Sequence, residues 1–137
     1  MIDLPIRRSA PENMLRIVSP DGQRAVTQYE AVCSGELYGH CVTLLRLRLV
    51  TGRTHQIRVH CAYLGMPLLG DVLYKTATSE KLSLRLGIGA QALHAGRLGF
   101  TEPLTGERVD ITAPLRREDM TKILTALGTE DMIYRLI

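Results

Sequence analysis

The sequence predicts an α+β fold, mostly antiparallel sheet with flanking helices. Two strand–turn–strand patterns, two stretches of helical apolar spacing and the composition of one globular domain carry that expectation. The chain has 137 residues, 45% hydrophobic and 23% charged, and its mean hydropathy is near zero. A chain of this length buries roughly two-thirds of its surface, enough for a core without staples. That core is aliphatic, because Trp is absent and Phe100 is the single Phe.

Ala25–Ser34 is rich in β-branched and aromatic residues and reads as a strand, with a turn over Ser34-Gly35 to Gly39. Cys41–Val50 reads as its antiparallel partner. In that second strand Leu45, Leu47 and Leu49 share one face, expected in the core, while Leu44, Arg46, Arg48 and Val50 share the other. Thr51-Gly52 breaks the strand. Thr54 then caps a helix that Gly65, Met66 and Pro67 close. Ile57, Cys61 and Leu64 form its expected buried face, and His55, Arg58 and Ala62 another. A helix start, Arg53, His55 and Arg58 thus converge at the end of a strand, a combination that binds anions.

An irregular stretch follows. Leu93–Thr101 and Arg108–Thr112 then flank the turn Glu102-Pro-Leu-Thr-Gly-Glu107 and read as a second hairpin. Pro114 opens a helix with Leu115, Met120, Ile123, Leu124 and Leu127 at near-helical spacing, and Gly128 stops it. Thr129–Ile137 reads as a short final helix.

Composition also excludes functions. No apolar run approaches the roughly 20 residues that span a bilayer, and the charged N-terminus does not read as a signal peptide. Cys33, Cys41 and Cys61 form no CxxC and read as small buried apolar residues. His40, His55, His60 and His94 contain no i,i+4 pair, so no metal site is expected. Gly87-Ile-Gly-Ala-Gln-Ala92 matches GxGxxA, but Gly96, Gly99 and Pro103 argue against the helix a dinucleotide fingerprint needs. Cys61 with His60 makes no nucleophile pair, because helical neighbours point about 100° apart.

The basic residues say more. Net charge is only +3, but fourteen arginines stand against three lysines. From Leu37 to Gly70 there is no acidic residue, while Arg46, Arg48, Arg53 and Arg58 fall inside that stretch. An acid-free, arginine-dominated segment suits bidentate recognition of phosphate; a face balanced by acids elsewhere in the fold is the competing account.

Leu49-Val-Thr-Gly-Arg-Thr-His-Gln-Ile-Arg-Val-His60 resembles the signature of the RluA-type pseudouridine synthases. Ile2–Ile6, Ala25–Val32, Gly65–Tyr74, Leu93–Ala95 and Pro103–Glu107 resemble further family blocks in the same order, covering about residues 2–127. The resemblance implies the second half of the family's catalytic domain, so 1–137 is expected to be a single partial domain. It implies isomerisation of uridine to pseudouridine in ribosomal or transfer RNA, with the base flipped into a cleft and no cofactor.

Two family motifs are missing from these residues: the His-Arg-Leu-Asp that carries the nucleophile, and the block carrying the tyrosine that stacks on the base. Asp71 and Tyr29 resemble other family motifs and substitute for neither. The resemblance makes Arg58 the partner of the nucleophilic aspartate, so Arg58 is expected here without its ion-pair partner, and the chain inactive by itself. Arg46, Arg48, Arg53, Thr54, His55 and Gln56 are the expected RNA contacts; structural hydrogen bonding at the helix start is an equal account of His55 and Gln56. The expected partner is structured RNA, not membrane, with a homodimer covering apolar surface and a cytoplasmic location. The rival reading is a non-catalytic RNA-binding module or gene relict.

Overall fold

The computed structural model describes residues 1–131, in two compact units: Met1–Gln91 and a second beginning at Ala92. The final helix expected over Thr129–Ile137 lies, beyond Asp131, outside the described residues. In the first unit, β1 (Ile2–Asp3), β2 (Ile6–Arg8), β3 (Arg16–Val18), β4 (Val26–Leu37) and β5 (His40–Leu49) precede α1 (Gln56–Tyr63) and α2 (Ala77–Leu86). The second contains β6 (Arg97–Thr101), β7 (Arg108–Thr112) and α3 (Glu118–Ala126). Every strand pair is antiparallel, in sheets ordered β1-β4-β5, β2-β3 and β6-β7. The fold is α+β, as the sequence predicts.

The β4–β5 hairpin is longer than expected. β4 runs on through Ser34-Gly35, because Tyr38 (φ 52°) and Gly39 (φ 79°) form a two-residue loop by themselves. Positive φ at both positions matches the twist of the flanking strands. The expectation that one β5 face lies in the core is corrected. Leu45 and Leu47 are half-buried, Leu49 is 48% exposed, and no β5 residue is fully buried. In β4, Val26, Thr27 and Leu37 are the buried positions. The rooted end of β4 pairs with β1 and packs on α1, while the middle of the hairpin is half-buried or exposed.

Helix α1 also departs from expectation. It buries Gln56, Val59, His60 and Cys61, whereas Ile57 is half-buried and Leu64 exposed. Its start is not capped by Thr54: His55 occupies the N-cap in a left-handed conformation (φ 58°) without a side-chain cap. Polar Gln56 and His60 can go inside because their hydrogen bonds are met there. His60 Nε2 donates to Leu4 O at 2.9 Å, so its Nδ1 is left to accept from the Thr27 hydroxyl, also at 2.9 Å. A core of Ile6, Ala25 and Val59, flanked by Val18 and Tyr74, lies alongside.

The stretch read as irregular contains α2. Thr76 and Ser79 form a capping box at its start, and Gly87 ends it in the left-handed conformation. Leu82 is buried and Leu84 is 75% exposed, which is helix periodicity. The three cysteines differ: Cys61 is buried, Cys33 half-buried and Cys41 exposed, correcting the uniform reading.

In the second unit, β6 and β7 pair as expected, and Glu102 accepts the backbone N–H groups of Leu104 and Thr105 in the connecting turn. Helix α3 starts at Glu118 rather than Pro114; it buries Ile123 and Leu124 and stops before Gly128. Among the described residues no helix is long and apolar enough to cross a membrane, and no group of three His, Cys, Asp or Glu could hold a metal.

Candidate nucleic-acid interface around Arg58

The site is built by the turn that ends β5, the first turns of α1, and the segment that follows it. Gln56 fixes the turn. Its Oε1 accepts from the Thr51 hydroxyl (2.8 Å) and the Arg53 N–H (2.9 Å). Its Nε2 donates to Val26 O and to the Thr27 hydroxyl, both at 3.0 Å. With its hydrogen-bonding capacity used inside the fold and 2% exposure, Gln56 cannot also reach RNA. The expected contact there is corrected to a structural one.

Arg58, one turn into α1, is not without a partner. Its Nε donates to Asp71 Oδ2 at 2.6 Å and its Nη2 to Asp71 Oδ1 at 2.7 Å, a two-pronged pair. The Asp71 side chain is fully buried and that of Arg58 is 11% exposed. Asp71 Oδ1 also accepts from the backbone N–H groups of Leu73 (2.9 Å) and Tyr74 (3.0 Å). The chain reaches this position through Gly70, whose φ is +73° and where a Cβ would stand 2.1 Å from Ala90 O. Only glycine fits there, and it delivers Asp71 under Arg58. The expectation of an unpaired Arg58 is therefore overturned: a burying chain reversal, which spacing along the sequence does not reveal, supplies a carboxylate thirteen residues away.

Burial alone would push the Asp71 carboxyl up; the Arg58 guanidinium and the two backbone donors outweigh it and hold the group below its ordinary 3.8. The Asp71 hydrogen bonds raise Arg58 in turn, against its own desolvation. Tyr74 completes the cluster. Arg58 lies over its ring, 5.0 Å from the centroid. Its hydroxyl accepts from Arg16 N–H at 2.9 Å and meets His55 Nδ1 at 2.8 Å. Desolvation first, then the charges of Arg58 and Arg16, lower the His55 pKa from 6.5. The lowered pKa favours a neutral imidazole, whose Nδ1 can accept a hydrogen bond from the Tyr74 hydroxyl. Tyr74 belongs to this site and was not singled out in the sequence; the Gly70-Asp71 turn ahead of it is the signal that could have found it.

Arg53 and Thr54 are exposed and line an open depression of about 370 Å³ together with Arg7, Arg8 and Arg16 from β2 and β3. Arg53 Nε donates to Arg24 O at 3.2 Å. The sequence reading placed Arg53 and Thr54 at such a surface but missed the three β2–β3 arginines, whose strands are too short to show a period. Arg46 and Arg48 lie apart on β5. Arg46 is paired across the strands with Glu30, both more than half exposed, and Arg48 is exposed opposite Gln28.

The chain as a whole has counterparts among known proteins. The family model described as RNA pseudouridylate synthase matches residues 2–63. The chain is 45% identical, over 90% of its length, to an uncharacterized RNA pseudouridine synthase, YjbO, of Bacillus subtilis. It is 44% identical, over 98% of its length, to the ribosomal large subunit pseudouridine synthase D of Vibrio cholerae. It spans 39% and 42% of those two proteins. Among solved structures it superposes on human RNA pseudouridylate synthase domain containing 1 with a TM-score of 0.69 and 28% identity, over 82% of this chain and 46% of that one. Sequence blocks, fold and these likenesses agree: the chain belongs to the RNA pseudouridine synthase family, as part of an RluA-type domain.

Proposed function

We propose that the protein acts in the isomerisation of uridine to pseudouridine in ribosomal or transfer RNA, with this chain forming one wall of the cleft and part of the phosphate footprint. The observation that carries the reading is the Arg58–Asp71–Tyr74 cluster beside the arginine-lined depression. Asp71 occupies Nε and Nη2 of Arg58, so the Nη1 edge is left for the nucleophilic carboxylate that the family resemblance implies. A guanidinium held by one carboxylate can orient a second and keep it ionised. In this reading Asp71 aims Arg58 and takes no part in bond making.

The His-Arg-Leu-Asp motif is absent from these 137 residues, so the chain by itself carries no turnover. Tritium release from RNA labelled at uridine C5 tests the reading. The expected result is no release by this chain alone, and release when a segment bearing that motif is joined to it. Arg58→Ala in the joined protein then abolishes release. Joined protein that binds RNA without release would favour a non-catalytic binding module.

The same reading carries a cytoplasmic location and self-association of the isolated chain. Exposed Tyr29, Leu49 and Val50 at the hairpin supply apolar surface for the second copy. A strictly monomeric species in light scattering at high concentration would refute the dimer.

A further inference from the structure

One polar atom near the Arg58 cluster has no assignment. Among the described residues, Arg16 Nη1 is a buried side-chain nitrogen without a hydrogen-bond partner. Native folds rarely leave a buried donor unused, and an exception points to something that binds there. Arg16 also stands directly opposite Arg8 in the β2–β3 register. Like charges in that position repel across a strand pair. Both line the 370 Å³ depression with Arg7, Arg53 and Thr54. Its one carboxylate, Asp21, is already engaged by Arg7 Nε at 3.0 Å and by the Ser19 hydroxyl. Four guanidinium groups against that single carboxylate leave the depression strongly positive.

We propose that this depression is a phosphate site in which the idle Arg16 donor, with Arg8 and Arg53 around it, holds one phosphate group. An anion there screens the Arg8–Arg16 repulsion, and Arg16 Nη1, closed to solvent as it stands, gains a partner when the side chain turns into the depression. The planar, multi-donor guanidinium suits phosphate oxygens. Resting on the function proposed above, the source is an RNA backbone phosphate. Arg16 N–H donates to the Tyr74 hydroxyl and the Tyr74 ring lies under Arg58. A phosphate on Arg16 is therefore registered against Arg58 through a single side chain, which fixes where the strand sits relative to the reacting base.

Two measurements on the full chain test this. The first is thermal melting in inorganic phosphate against chloride at equal ionic strength. The second is binding of a uridine-containing stem-loop RNA across a salt series. Wild type should gain about 3–6 °C in saturating phosphate. Arg16→Met should lose that gain. It should also weaken RNA binding about ten-fold and lower the salt slope by about one ion. Arg8→Met, which opens the same pair from the other strand, should reproduce the loss if Arg16→Met folds poorly. Arg116→Met, an exposed charge in the second unit, controls for net charge and should leave the phosphate gain intact.

A phosphate gain that survives both Arg16→Met and Arg8→Met, or no gain in wild type, overturns the site. Loss of the phosphate gain with an unchanged RNA salt slope keeps the site but overturns the RNA source in favour of free phosphate. A phosphate gain in a chain that binds no RNA overturns the proposed function and leaves the anion site standing.

Discussion

Two regions of the first unit present arginines in opposite ways. Around α1, Arg58 is held by two hydrogen bonds to a buried carboxylate and lies over an aromatic ring. On the β4–β5 hairpin, Arg46 meets Glu30 across the strands with both side chains more than half exposed, and Arg48 stands beside it in solvent. An exposed pair is loosened by water and salt, whereas a buried pair depends on its partner being there. The α1 region fixes one arginine in one place; the hairpin leaves its arginines exposed to water and to screening by salt. The first suits alignment of a reacting group, the second a loose hold on a polyanion.

The strongest way to break this contrast is Asp71→Ala. It strands a buried guanidinium and should lower stability by about 3–5 kcal/mol in urea unfolding. A loss under 1 kcal/mol would mean that the buried pair behaves like the exposed one. Acid reaches the same pair without mutation. Because Asp71 is depressed in the folded protein, its contribution is fully present above 3.8 and is lost as the pH falls through its lower folded value. Urea midpoints of wild type should therefore drop in that range, while those of Asp71→Asn lack this component.

Next in size is Gln56→Ala. It takes the acceptor from the Arg53 N–H and the Thr51 hydroxyl and one of three donors from Val26 O, for about 1–3 kcal/mol of lost stability, and it also loosens the turn carrying Arg53. Mildest is Arg46→Ala, with a stability change of about 0–1 kcal/mol. If the hairpin holds RNA, that substitution weakens binding at low salt and hardly at high salt. A salt-independent loss would move Arg46 into the same class as Arg58.

The sequence made the hairpins and α1 legible because alternation and helical spacing are local signals. It was less informative about what lies against each face. Leu49 alternates as a core residue does, yet it is 48% exposed, because nothing in its own spacing records whether a second layer exists. Leu82, Leu84 and Leu86 alternate as if extended, which hid α2, although Thr76, Ser79 and Gly87 mark its two ends by their hydrogen-bonding chemistry. In the site, Arg58 was readable as a group that needs a carboxylate; that Asp71 supplies one depends on the chain reversal at Gly70. For Gln56 the sequence left RNA contact and structural hydrogen bonding at the helix start equally open, and only three-dimensional bonding to Val26, Thr27, Thr51 and Arg53 shows that it turns inward.

The left-handed backbone at His55 has a consequence for how this segment tolerates insertion and deletion. A helix with an ordinary cap can absorb an added residue by growing one position backwards. Here α1 cannot, since its first residue follows a backbone of opposite hand whose ring is tied to Tyr74. One extra residue between Thr51 and Gln56 would part the Thr51 hydroxyl and the Arg53 N–H that Gln56 Oε1 holds together, and so disturb the start of the helix that carries Arg58. The loop length between β5 and α1 is thus tied, through Gln56, to the helix start that carries Arg58, and length variation should be confined to segments outside it.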